Sequence, residues 1–218
     1  MPSNEDWLQD PLMEIGKGSY QYRKPKSLND EQNDLWQGFH FSTRLKLDAS
    51  DYFCRQVLGI ASRPTELGLP LLAHRQLKWY LDAFFFELMS AYDTLLQEIN
   101  VVYNLGIDID KVSWGTMKDC LFKSKLTGEL GGYMEKERGK EWFKKVRQYR
   151  NIAAHRSYLW TGEIKGGWGD KPWGYDFHEV SIYRLDDTGT VQLEGISICN
   201  ELLASVVGHI HQVWKEMA

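Results

Sequence analysis

The chain has 218 residues, 43% hydrophobic and 26% charged, which is long and apolar enough for one large domain with its own core. Its net charge of −4 excludes a chain-wide basic footprint, so any nucleic acid would have to be held by a local patch. The three cysteines, Cys54, Cys120 and Cys199, are too far apart for a zinc ribbon and odd in number for a disulfide framework, which fits a reducing compartment.

Residues 1–28 mix Pro, Gly, Lys and Asp with isolated aromatics and show no sustained period. They read as an extended arm ahead of a single domain over 29–218. The start is acidic and polar rather than shaped like a signal peptide, and no apolar run approaches the roughly 20 residues that span a bilayer. A cytoplasmic protein with no membrane partner is expected. Gly16-Lys17-Gly18-Ser19 lacks both the spacing and the preceding strand of a phosphate loop. From 30 to about 62 helix-compatible residues dominate, with Leu35, Phe39, Leu45, Tyr52, Phe53 and Val57 as apolar markers, until Arg63-Pro64 ends the run. The phase drifts, which allows one kinked helix or two.

The strongest helical pattern runs from about 71 to 104 and ends at Gly106. Phe84, Leu88, Ala91, Leu95, Ile99 and Val102 follow 3-4-3-4 spacing, widened by Leu81, Phe85 and Tyr92, so this should be the central, most buried helix. Asp82, Asp93 and Asn100 fall on its other side and read as a solvated face. A short helix is predicted over 116–125, with Gly128, Gly131 and Gly132 interrupting the chain after it. A helix over about 139–158 follows, and then a segment rich in Gly and Trp that cannot be regular helix. Segments 176–185 and 190–196 flank Asp186-Asp187-Thr188-Gly189 and predict a β-hairpin. An amphipathic helix from about 198 to 217 closes the chain.

The helix over 139–158 carries Arg150-Asn151-Ile152-Ala153-Ala154-His155. Arg is a permanent cation with a planar fork of donors suited to phosphate oxygens, and His exchanges protons near neutrality. On a helical wheel Ala154, Arg147, Tyr158, Asn151, Lys144 and His155 lie within about 140° of Arg150 on one side, while Trp142, Val146, Tyr149, Ile152 and Ala153 fill the opposite arc. The helix therefore has a face for a core and a basic face with one imidazole. Helix-end contacts to the last carbonyls are the plainer use of Arg150, Asn151 and His155. Because Arg150 and His155 are about 140° apart, pinching one phosphate between them needs a partner surface. A two-fold homodimer supplies one, and the small Ala154 would let two copies of the helix approach.

Arg-Asn-x-x-x-His near the end of a helix, after a long amphipathic helix containing DAFFFELMSAYDTLLQEIN at 82–100, resembles the HEPN superfamily and a bacterial HEPN-like family within it. The resemblance covers roughly 30–217. It implies a mainly α fold, an HEPN-like helical bundle, here with an inserted β-hairpin before the C-terminal helix and with about 159–197 forming the Gly/Trp-rich loop plus hairpin insertion. It also implies a metal-independent endoribonuclease acting as a dimer in toxin-antitoxin, antiviral or RNA-processing settings, with RNA as substrate and an antitoxin or regulatory protein as partner. No cofactor or metal is implied. Arg150, His155 and Asn151 would be the catalytic set, Lys144, Arg147 and Tyr158 would bind RNA phosphates, and Asp93 or Glu87 would support Arg150 from behind. Other members of the superfamily have lost catalysis, which leaves a non-catalytic module binding nucleotide, RNA or protein as the alternative.

Two other groups of residues are less informative. His209 and His211 stand two apart, which a helix sends to different faces, so they read as polar-face or core histidines rather than a metal pair. Trp160, Trp168, Trp173 and Tyr175 suit the cap of a core or an oligomer interface, or less readily a surface for stacking unpaired bases.

Overall fold

In a computed structural model, Pro25 and residues 28–61, 71–123, 125–154, 184–185, 191–192 and 194–218 are described. Helix α1 (Asp30–Ala61) is one continuous element of 32 residues. Asn29 and Gln32 start it with a capping box: the Asn29 side-chain oxygen accepts from the Gln32 amide at 2.8 Å, and the Asn29 amide donates to Gln32 Oε1 at 3.2 Å. Its inward row is Trp36, His40, Thr43, Leu47, Ser50, Cys54 and Val57, all buried, in strict 4-3 alternation. This corrects the sequence reading, since Leu35, Leu45 and Tyr52 are exposed. The apolar markers drift because His40, Thr43 and Ser50 occupy core positions.

Helix α2 (Leu71–Val102) presents the matching row Leu77, Leu81, Phe84, Leu88, Ala91, Leu95 and Glu98, with Phe85, Tyr92, Leu96 and Ile99 also buried on its flanks. It is the central helix, as its pattern predicts. It runs antiparallel to α1, with His40 against Glu98 and Lys46 against Glu87. The fully buried Glu98 carboxylate holds this register: Thr43 Oγ1 donates to it at 2.6 Å and Trp214 Nε1 at 3.0 Å, and His40 Nδ1 lies 2.9 Å away. A buried carboxylate needs such partners to offset its lost hydration.

Helix α2 ends in a Schellman turn. Asn104 adopts φ 48°, with Leu105 N–H bonded to Asn100 C=O at 3.0 Å and Asn104 N–H to Val101 C=O at 3.2 Å. Asn100 is buried and clamps Ile107 through both backbone groups, so it does not belong to a solvated face. Asp82 pairs with Lys78, and Asp93 is the member of that trio that is exposed.

Helix α3 (Trp114–Lys123) begins two residues earlier than expected, capped by reciprocal Ser113 and Thr116 bonds. Helix α4 (Lys125–Arg138) runs through Gly128, Gly131 and Gly132 instead of breaking there. The reason is packing: a Cβ on Gly131 would lie 3.3 Å from Leu121 Cβ, so glycine allows α3 and α4 to touch. A tight turn at Gly139 and Lys140 leads into α5 (Glu141–Ala154). Strands β1 (Arg184–Leu185) and β2 (Val191–Gln192) pair antiparallel, Arg184 opposite Gln192. The other residues of the expected hairpin up to 190 lie outside the described residues, and 194–196 are helical. Helix α6 (Glu194–Met217) starts there rather than near 198. All six helices contribute to one apolar cluster around α2, so the described residues form a mainly helical bundle.

Candidate functional site

Helix α5 follows directly from α4 and packs Phe143 and Val146 into the core, with the Tyr149 ring tilted at 55° against Phe85 of α2, centroids 4.8 Å apart. That inward set fixes the rotation of the helix and turns Lys144 and Arg147 outward, where both are exposed. Arg150 and Asn151 stand at the boundary and are half-buried. Arg150 Nη1 donates to Asn151 Oδ1 at 3.3 Å, a bond between neighbouring side chains that gives both a common orientation. Among the described residues no carboxylate comes within ion-pair distance of Arg150. His155 and Tyr158 lie outside the described residues, as do Trp160, Trp168, Trp173 and Tyr175.

The two acidic candidates on α2 differ in what they meet. Glu87 is approached by Lys46 at 3.4 Å. Asp93 is exposed to solvent, yet the protein crowded around it strips enough water to raise its carboxyl above the usual carboxylate range, and Arg150 is the strongest of the cations opposing that rise, ahead of Arg138 and Lys46. Arg150 thus feels a negative neighbour in Asp93 and, among the described residues, forms no ion pair. A guanidinium so placed keeps its donors for an incoming oxyanion.

Beside this edge, a cleft of about 410 Å³ opens where α3, the end of α4 and the start of α5 meet. Lys144 and Arg147 line it, together with Trp114, Lys118, Glu135 and Arg138. The Arg138 guanidinium lies 4.5 Å from the Phe143 ring centre, 5.1 Å from Trp114 and 5.7 Å from Tyr92, and it donates to the Tyr92 hydroxyl at 3.1 Å. In the sequence Arg138 is one of several charges of both signs, with Glu135, Lys136, Glu137 and Lys140 close by. Only the approach of rings from α2, α3 and α5 makes it distinctive, and no spacing within α4 signals that.

His209 is buried and His211 half-buried, on different sides of α6, in keeping with their spacing. No group of three His, Cys, Asp or Glu that could hold a metal forms among the described residues, and none of their helices is long and apolar enough to cross a membrane. Cys54 and Cys199 are buried and free. Burial pushes the Cys54 thiol up to about 12 and raises that of Cys199 as well, so neither is a ready nucleophile.

A family model, HEPN_Cthe2314-like HEPN, matches residues 71–211, well over half of the chain and all of α2 through most of α6. The chain belongs to the HEPN_Cthe2314-like HEPN family. No curated protein and no solved structure matches it. The HEPN match spans the central helix, the α5 edge with Arg150 and Asn151, and the cleft beside it, leaving α1 and the N-terminal residues outside.

Proposed function

We propose that this HEPN protein is a metal-independent endoribonuclease that works as a homodimer, with Arg150 and His155 of both subunits forming one composite site. The observation that carries the reading is Arg150 itself: half-buried at the end of α5, aligned by Asn151, backed by Asp93, and without an ion-pair partner among the described residues. In the proposed reaction His155 takes the proton of a ribose 2′-hydroxyl, whose oxygen attacks the adjacent phosphorus. The bond to the 5′-oxygen breaks, and that oxygen leaves with a proton from the partner's imidazole. Cyclic phosphate and 5′-hydroxyl ends result. Arg150 stabilises the charge that grows on the non-bridging oxygens, a contribution often larger than proton transfer. Asn151 holds the phosphate or the guanidinium, and Asp93 positions Arg150. Lys144, Arg147 and Tyr158 would meet the flanking phosphates. An inserted hairpin and Trp-rich loop between α5 and α6, a cytoplasmic setting and a cognate antitoxin or regulatory protein complete the reading. The superfamily resemblance supports a toxin-antitoxin or defence role.

The purified protein is expected to cut single-stranded RNA in EDTA. His155→Ala and Arg150→Ala should each lose at least about a hundredfold in rate, the scale of a missing acid–base or oxyanion interaction, while staying folded and dimeric. A His155→Ala protein that cuts as fast as the parent, or a monomeric parent that cuts, would reject the composite site.

A further inference from the structure

We infer that the cleft between α3, α4 and α5 is a phosphate-binding subsite for single-stranded RNA, holding the strand next to the phosphate cut at Arg150. This rests on the ribonuclease reading above and adds Arg138, Lys118 and Trp114 to it. Four cations, Lys118, Arg138, Lys144 and Arg147, line the cleft against one carboxylate, Glu135. Glu135 is already engaged: it accepts from Lys118 Nζ at 2.7 Å and from Trp114 Nε1 at 3.0 Å. These bonds hold its carboxyl below the ordinary range. Three cations then remain with no ion-pair partner among the described residues.

Arg138 is the informative one. Three aromatic rings and the Tyr92 hydroxyl hold it in place, and rings stabilise a guanidinium without neutralising it. A fixed planar fork with its charge intact is the arrangement that binds a phosphate at little ordering cost. Trp114, oriented by Glu135 and half-exposed, offers a face on which a base of any identity can stack. From Lys144 to Arg150 the rise along α5 is about 9 Å, so the cleft lies within the reach of one or two nucleotides of the motif. Cations repeated along one helix face, beside an aromatic, match a sugar-phosphate chain better than a single carboxylate.

The test uses a fluorescein-labelled 2′-O-methyl oligoribonucleotide, which lacks the attacking hydroxyl and stays intact, with binding read by anisotropy across a salt series. Arg138→Ala is expected to weaken binding about tenfold, the value of one charge-assisted bond. Because Arg138 is packed among rings, the exposed pair Lys144→Ala and Arg147→Ala provides a second variant that leaves the core untouched. It should weaken binding at least as much and make the slope of log affinity against log salt shallower by about 0.7 for each phosphate no longer neutralised. On cleavable RNA both variants should raise KM with kcat largely kept. Parent-like binding and KM in both variants would overturn the subsite while leaving cleavage at Arg150 standing. Competition by poly-glutamate as strong as that by RNA would overturn it in favour of a protein ligand. A parent protein that neither binds nor cuts RNA would overturn the subsite and the ribonuclease reading together.

Discussion

His209 lies against the rings of Tyr92, Tyr133 and Trp142, at centroid distances of 5.8, 5.4 and 5.6 Å. Its Nδ1 is 3.3 Å from the Tyr133 hydroxyl, and its Nε2 finds no hydrogen-bond partner among the described residues. Burial is the main reason its pKa falls from 6.5 to about 4; Glu137 opposes the fall, and Lys140 and Arg138 add to it. The folded state therefore refuses a proton that the unfolded chain accepts, so the neutral ring's contribution is fully present above pH 6.5. It declines as pH drops from 6.5 towards 4 and is gone below that. The loss is on the order of 3 kcal/mol. His209→Phe, which keeps the aromatic layer, should remove this part of the acid sensitivity. In urea unfolding at pH 7.5 and 4.5, the parent should lose about 2–3 kcal/mol more than the variant between the two pH values. Equal losses would show that carboxylates elsewhere govern acid unfolding.

At the scale of elements, α4 is the clearest case of packing overriding local preference. Three glycines in 14 residues would be expected to break a helix, yet Gly131 is where α3 and α4 meet, with Leu121 Cβ at 3.3 Å and the Phe122 ring at 3.4 Å from a built Cβ. Gly132, one residue on, has nothing within 4 Å. Gly132→Ala should therefore stabilise by about 0.5–1 kcal/mol through reduced freedom of the unfolded chain, raising Tm by about 2 °C in a protein of this size. Gly131→Ala should gain nothing, because the fully buried Leu121 has nowhere to move. If both substitutions raised Tm alike, the close approach would not be what retains glycine. The same logic decides what could be read in advance. The α2 row was legible because six of its seven inward residues are apolar. The α1 row was not, because His40, Thr43 and Ser50 take core positions, where Glu98 of α2 meets His40 and Thr43 and a backbone carbonyl of α1 accepts from Ser50. The basic edge of α5, with Lys144, Arg147 and Arg150, followed from a 3.6-residue period alone. The Arg138 cluster needed residues from four helices at once, which no local period encodes.

For the whole molecule, the core decides how much of a site one copy can make. Helix α5 buries Phe143 and Val146 and sets Tyr149 against Phe85 of α2, which leaves Arg150 and Asn151 half-buried at its end, where Arg150 acts on the Asp93 carboxyl. On an ideal helical wheel positions 150 and 155 are about 140° apart, which is why the proposed site draws Arg150 and His155 together from two subunits. If they work across a two-fold axis, two inactive variants should repair each other. Arg150→Ala and His155→Ala homodimers, each silent alone, would be unfolded together and refolded as a mixture, where random pairing makes about half of the dimers mixed. Each mixed dimer carries an intact Arg150 on one subunit and an intact His155 on the other. RNA cleavage should rise in the mixture well above that of either variant alone while staying below the parent rate, because each mixed dimer keeps only one of the two imidazoles that serve as base and acid, and this rise should be absent when dimers of the two variants are mixed without exchange. Mixed dimers seen by native mass spectrometry but no more active than the two variants would reject the convergence of Arg150 and His155 across the axis.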